Sequence, residues 1–196
     1  MRHNEAMSAT PTVSVSEIRT GRLLLRNARD GDREGLIELQ TDPEVREYLG
    51  GPRQRRDVEH YLDAIGTANA TAAPRVFVIA ENECDNLLGT LALTRRSAER
   101  PGRLSAEGGE LELSYLLRRN AWGRGYAFEA ASAELRVAAE ELPDQPVMIV
   151  TQCANERSLK LALRLGFQPV EIFEEFGAQQ TLATARLYSF KGVDRD

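Results

Sequence analysis

The stretch LSYLLRRNAWGRGYAFEA, residues 113–130, decides how this chain folds. It opens as a strand: in ELELSYLL (110–117), alternation sets Glu110, Glu112 and Ser114 on one face and Leu111, Leu113 and Tyr115 on the other. It closes as a helix beginning near Arg124. There Phe128, Ala131, Leu135, Ala138 and Leu142 recur at spacings of 3 and 4, one stripe turned to a core. Between strand and helix lies Gly123-Arg124-Gly125. No acidic residue falls between Leu113 and Phe128, while Arg118, Arg119 and Arg124 do, in a chain of net charge −5. Glycines let a backbone approach a ligand closely, and the first turn of a helix leaves N–H groups unpaired at the positive end of its dipole. The combination suits a phosphate or pyrophosphate. The plainer reading, a tight turn with solvated arginines, stands beside it. GxxxxGK[ST] is absent, and GRGYAF is not GxGxxG because Phe128 takes the last glycine's place, so neither a P-loop nor a dinucleotide fingerprint applies.

Outward from this stretch, IRTGRLLLR (18–26) has strand character and DGDREGLIELQ (30–40) reads as a helix with Asp30 or Asp32 as cap. Asp42, Pro43 and Glu44 form a second helix-start signal. Val58, Tyr61, Leu62 and Ile65 mark a further helix by their i, i+3, i+4, i+7 spacing. RVFVIA (75–80) and LLGTLAL (87–93) flank a polar turn as a hairpin. After the central stretch come a buried strand, VMIVT (147–151), and a helix, NERSLKLALRLGF (155–167), with Asn155 as cap and Gly166 as stop. Phe167–Phe173 and Leu182–Phe190 read as a final strand pair, Tyr188 on the last strand. The expected fold is α/β (mixed α+β): one domain over residues 17–192, with one mostly antiparallel sheet and helices on both faces. Residues 1–16, rich in Ser, Thr and Ala, are expected to be a flexible lead-in.

Composition bounds the function. Hydrophobic content of 42% and charged content of 28% are those of a globular chain. No run approaches the roughly 18 apolar residues of a membrane span, and the N-terminus lacks a secretory apolar core, so a cytoplasmic location and no membrane partner are expected. Two cysteines, Cys84 and Cys153, and two histidines, His3 and His60, show no metal-ligand spacing; no metal is expected. The acidic balance argues against nucleic acid and fits an amine-bearing partner. The oligomeric state stays open, a homodimer included.

The central stretch resembles the acyl-CoA-binding segment of the GNAT superfamily of N-acyltransferases, and is similar to the branch of ribosomal-protein alanine acetyltransferases. That branch carries E-x-G-Y followed by W-G-x-G-Y-A-x-E-A, matched here by Glu112, Tyr115, Trp122, Gly123, Gly125, Tyr126, Ala127, Glu129 and Ala130. Its [RT]-x-R-L-x-L-R strand appears as TGRLLLR (20–26), and its N-x-x-S followed by G-F as Asn155, Ser158, Gly166 and Phe167. The chain departs from the pattern at Ser114, Arg119 and Asn120. It also has Ala162 where many relatives carry a catalytic tyrosine.

The resemblance implies an acetyl-CoA-dependent N-acetyltransferase acting on a primary amine, either a small molecule or a protein N-terminus. It implies that backbone groups of Leu116 and Leu117 hold the pantetheine arm. N–H groups from Gly123 through Arg124, Gly125 and Tyr126 to Ala127 would hold the pyrophosphate, with Arg118 and Arg124 adding charge. Asn155 would meet the pantetheine amide as well as cap its helix. Glu112 stands at the family's base position, and otherwise belongs to the wet face of its strand. For the acid, Ser158 and Tyr188 are alternatives, Ser158 being equally a capping residue. The acidic, aromatic segment EIFEEFGAQQ (171–180) either receives a cationic substrate or is a solvated turn. Two rival readings remain: a non-catalytic acyl-CoA-binding module, consistent with Ala162, and a phosphate- or partner-binding domain with an accidental GxG.

Overall fold

Eight strands join in one sheet in the computed structural model, which describes residues 16–192. The lead-in expected at 1–16, Ser16 apart, and His3 lie outside the described residues. In chain order the strands are β1 (Glu17–Arg19), β2 (Leu23–Arg26), β3 (Val76–Glu81), β4 (Leu87–Arg95), β5 (Leu111–Leu117), β6 (Pro146–Gln152), β7 (Gln168–Glu175) and β8 (Ala178–Arg186). Their spatial order is β1-β2-β3-β4-β5-β6-β8-β7. Every neighbouring pair is antiparallel except β5–β6. A parallel pair needs a crossover rather than a tight turn. The helix α3 (Tyr126–Glu141) supplies it, leaving the sheet from the end of β5 and returning to β6.

Alternation along the strands builds two cores. Phe77 and Ile79 of β3 join Leu91, Leu93 and Leu113 beneath Ala131, Leu135 and Ala138 of α3. Ala162 and Leu165 of α4 (Glu156–Leu165) complete that layer. The intervening Val78 and Ala80 face the opposite side. There they meet Leu36, Ile37 and Leu39 of α1 (Arg33–Thr41), and Val58 and Leu62 of α2 (Arg55–Ile65). The fold is the expected mixed sheet with helices on both faces. No helix among the described residues is long and apolar enough to cross a membrane.

Four local expectations are corrected. Residues 18–26 form two strands, because Thr20 turns the chain, its N–H donating to the Leu23 carbonyl at 2.9 Å. Asp42 does cap, accepting from the N–H groups of Glu44 and Val45, but the segment closes as successive turns and no helix propagates. Tyr61 lies on the exposed side of α2. Leu187–Phe190 is a 3₁₀ turn after β8, so Tyr188 is not on a strand.

Candidate active site

The two central strands part company. The parallel register of β5 and β6 holds only for Leu111 with Val147 and Glu112 with Met148. Beyond it the strands diverge, and a cleft of about 660 Å³ opens between Leu113–Leu117 on one wall and Ile149–Thr151 on the other. The register with β4 pairs Arg118 with Leu88 through a 2.8 Å bond and Arg96 with Glu110 through a 3.0 Å bond. Alternation in an antiparallel ladder then turns the backbone groups of Leu116 to Thr90, and those of Leu113, Tyr115 and Leu117 to the gap. The Leu117 carbonyl accepts from Trp122 Nε1 at 2.8 Å. Of the expected pair, Leu117 therefore faces the opening, and the main chain of Leu116 is committed to the neighbouring strand.

At the mouth of the cleft stands the start of α3. Gly123 and Gly125 have φ of 72° and 78°, a conformation that only glycine adopts without strain. A Cβ on Gly123 would meet no protein atom within 4 Å, so the space above this turn is open. No side chain caps the helix at Gly125, and the first boundary bond runs from the Glu129 N–H to the Gly125 carbonyl. The N–H groups of Tyr126, Ala127 and Phe128 thus have no acceptor among the described residues. Together with the strand edge, this cradle fits a pyrophosphate bearing an extended amide arm, the chemistry of acetyl-CoA. The turn is braced from behind. Arg22 donates through Nη1 to the Arg124 carbonyl at 2.9 Å, through Nε to Glu129 at 2.7 Å, and stacks over Tyr126 at 4.7 Å. Tyr126 is buried, its hydroxyl donating to Glu81, while Ala127 lines the cleft.

The arginines divide. Arg118 donates to the Glu38 carboxylate of α1 from Nε at 2.9 Å and to the Leu87 carbonyl, so its charge is already matched. Arg119 pairs with Asp42 and Glu44. Arg124 is exposed and makes no ion pair among the described residues. It alone of the three keeps its charge available. An arginine that the sequence reading passed over, Arg157 at the start of α4, stacks on Trp122 at 4.8 Å beside the glycine turn.

Asn155 caps α4, accepting from the Ser158 N–H at 3.2 Å and donating to Thr151 Oγ1 at 3.1 Å. Ser158 lines the cleft, and its hydroxyl lies 2.9 Å from that of Tyr115 on the opposite wall. Burial raises the Tyr115 phenol above its ordinary range, with the Ser158 bond opposing in part. Tyr115 was legible only as a matched letter of a motif; nothing in spacing announces a contact across 43 residues.

Glu112 sits where the wedge closes. Both its oxygens accept from Nη1 of Arg96, at 3.1 and 3.0 Å. Arg96 is buried and also donates to the Pro101 carbonyl and to Glu175, which Arg100 completes. The acidic segment 171–180 contributes Glu175 to this cluster, while its Glu171 and Glu174 stay exposed. It is a hairpin with a two-residue turn at Phe176-Gly177, both at positive φ, and Glu175 is neutralised inside an ion cluster. Tyr188 is not brought to the site. It stands beyond the Pro146 end of β6, its N–H on Asp144 and its ring under Lys191, while the cleft opens at the other end of that strand. The two cysteines are free, and no cluster of metal-ligating side chains occurs among the described residues.

A sheet wedged open at one parallel pair, above a glycine turn and an uncapped helix start, defines an enzyme that takes its acyl group from acyl-CoA. The family described as "Acetyltransferase (GNAT) domain" matches residues 22–168, and the chain belongs to it. Among curated relatives, the Bacillus licheniformis protein described as the uncharacterized N-acetyltransferase p20 is 26% identical over 162 residues, 80% of this chain and 85% of the relative. A GNAT-family acetyltransferase from Bacillus anthracis superposes with TM-score 0.70 at 18% identity, over 87% of this chain and 98% of that one. Spermidine N-acetyltransferase from Vibrio cholerae, solved with CoA and spermine, gives 0.66 at 16%, over 87% and 99%.

Proposed function

We propose that this chain moves the acetyl group of acetyl-CoA to a primary amine by direct attack on the thioester, in the cytoplasm. The observation that carries this reading is the parting of β5 from β6 beside the uncapped start of α3. An extended amide arm can add to the β5 edge at Leu113, Tyr115 and Leu117. The phosphates can then reach the free N–H groups near Tyr126 and the charge of Arg124.

An α-amino group titrates near pH 8 and lysine near 10.4, so most amines are protonated at pH 7 and must lose a proton before attack. Glu112, one residue ahead of the cleft-lining Leu113, is the base in this reading, acting through a water. Ser158 faces the leaving sulfur from the other wall. The acceptor is a small polyamine-like molecule or a protein N-terminus. The former is the class named for the Vibrio cholerae structure, the latter that of the branch whose motifs the chain resembles.

The test is free-thiol release from acetyl-CoA with spermidine, alanine- and serine-started peptides, and aminoglycosides, read together with the acceptor mass. Thiol release with the mass gain of one acetyl group on at least one amine is expected. Tight acetyl-CoA binding with no transfer to any of them would favour the non-catalytic binding module instead.

A further inference from the structure

We infer that Tyr115 and Ser158 work as one unit that receives the charge leaving on sulfur, with Tyr115 positioning the serine hydroxyl. This inference rests on the transfer proposed above. The two side chains come from opposite walls, β5 and the first turn of α4, and meet at 2.9 Å inside the cleft.

Two hydroxyls in contact share one proton and keep one free. The phenol is the stronger acid, so it donates to Ser158 Oγ, and the serine proton is the one left over to point at a ligand. Burial keeps the phenol neutral through the working range, so it stays a donor. The serine's main chain is fixed, because its N–H donates to the Asn155 side chain, so the Tyr115 contact has a single side-chain torsion to hold. The spot is also the N-terminal turn of α4, whose dipole favours negative charge. Ala162, one turn further along α4, is buried and offers no competing donor.

When the amine has added and the carbon–sulfur bond breaks, the bonding electrons go to sulfur. The amine proton goes to the base, and the thiolate takes a proton from water on release. The hydroxyl pair exchanges no proton in that step. Its hydrogen bond to sulfur is stronger to a thiolate than to a thioester, and so acts in the transition state.

The pair can be tested without an acceptor, by the pH dependence of CoA affinity measured against desulfo-CoA. In the wild type the bound thiol should ionise about tenfold more readily than the free thiol, so CoA gains on desulfo-CoA as pH rises. Tyr115→Phe and Ser158→Ala should each remove most of that gain while leaving desulfo-CoA affinity within about twofold, and the double variant should be no worse than either single one. A wild-type gain retained in Tyr115→Phe would overturn the positioning role. Additive losses would overturn the single unit. A wild type that binds neither compound would instead overturn the transfer reading on which the inference stands.

Discussion

Arg22 and Glu129 join two motifs that lie more than a hundred residues apart. The Glu129 carboxylate accepts from the Arg22 N–H at 3.0 Å, from Arg22 Nε at 2.7 Å and from Thr20 Oγ1 at 2.5 Å. The β1–β2 turn is thereby bolted to the first turn of α3, and the glycine loop between them is held from both sides. Burial raises the Glu129 carboxyl, but the Thr20 and Arg22 bonds outweigh it and bring it below its ordinary value. Glu129→Gln, which keeps the shape and loses the charge, should weaken acetyl-CoA binding about tenfold by loosening the loop. The carboxylate is depressed in the folded state, so its contribution is present above the ordinary carboxylate range and fades as pH falls. Wild type and variant should therefore converge in melting temperature below about pH 4.

Arg124 and Arg118 should behave oppositely. Arg124→Glu leaves the fold untouched and weakens acetyl-CoA binding, with a loss that shrinks as salt rises, because an exposed charge is screened. Arg118→Ala strips Glu38 of its partner and should lower stability by about 1 kcal/mol with little change in ligand affinity. Calorimetric titration at two ionic strengths separates them. A salt-independent defect in Arg124→Glu would point to the helix start rather than to a phosphate.

Gly125→Val should abolish the thermal shift given by acetyl-CoA, which NAD and ATP are not expected to reproduce. A Cβ there meets only Arg22 Nη2, at 3.5 Å, so the substitution is not crushed by the protein; it is strained by a φ of 78° and stands in the phosphates' way. Normal acetyl-CoA binding by the variant would place the cofactor elsewhere.

The sequence made the sheet, the helices and the glycine turn legible because each depends on local spacing. Phe77, Leu91 and Leu135 fall where periodicity puts them, and Gly166 stops its helix at φ 101° as a Schellman-type glycine should. What stayed hidden depends on partners distant in the chain. Arg118 and Arg124 look alike in sequence, and only the arrival of Glu38 from α1 silences the first. The segment around Glu175 reads in sequence either as a substrate-receiving surface or as a solvated turn, and only Arg96 and Arg100 show that this carboxylate is buried and paired. The start signal at Asp42 does mark a cap, but no helix follows it. Gly50 and Gly51, both at positive φ, show that this segment keeps turning instead of propagating.

Glu134 gives the chain a titration in its interior. It is fully buried on α3, bonded through one oxygen to Arg75 at 2.6 Å. Burial pushes its carboxyl up to about 7 despite that arginine. A carboxyl raised on folding contributes its full stability below the ordinary range and loses it as pH rises through about 7. Relative to Glu134→Gln, which does not titrate, the wild type should lose at most about 3 kcal/mol between pH 4 and pH 8. Urea melts across that span check it, and a flat difference would mean that the carboxylate is ionised throughout at no cost.

Glu112 carries the catalytic proposal, and its setting makes the test clean. Its carboxylate is anchored by Arg96, so it cannot rotate away, yet the side chain remains 17% exposed at the closed end of the wedge. Glu112→Gln preserves an oxygen acceptor for Arg96, and Glu175 stays in place to match that buried charge. The fold should survive, and acetyl-CoA affinity should stay near wild type. Turnover should fall by about 10²–10⁴-fold at neutral pH, because the amine proton then has no receiver. The loss should narrow as pH rises and more of the amine is already neutral. Ser158→Ala should cost less, since it removes one hydrogen bond to the departing sulfur, and Tyr188→Phe should cost nothing, since that ring stands away from the cleft. The measurement is the pH profile of kcat/KM for the three variants with any accepted amine. Equal activity of Glu112→Gln across the profile would remove Glu112 from catalysis and leave Arg96 and Glu112 as a structural pair that keeps β5 and β6 joined at their closed end.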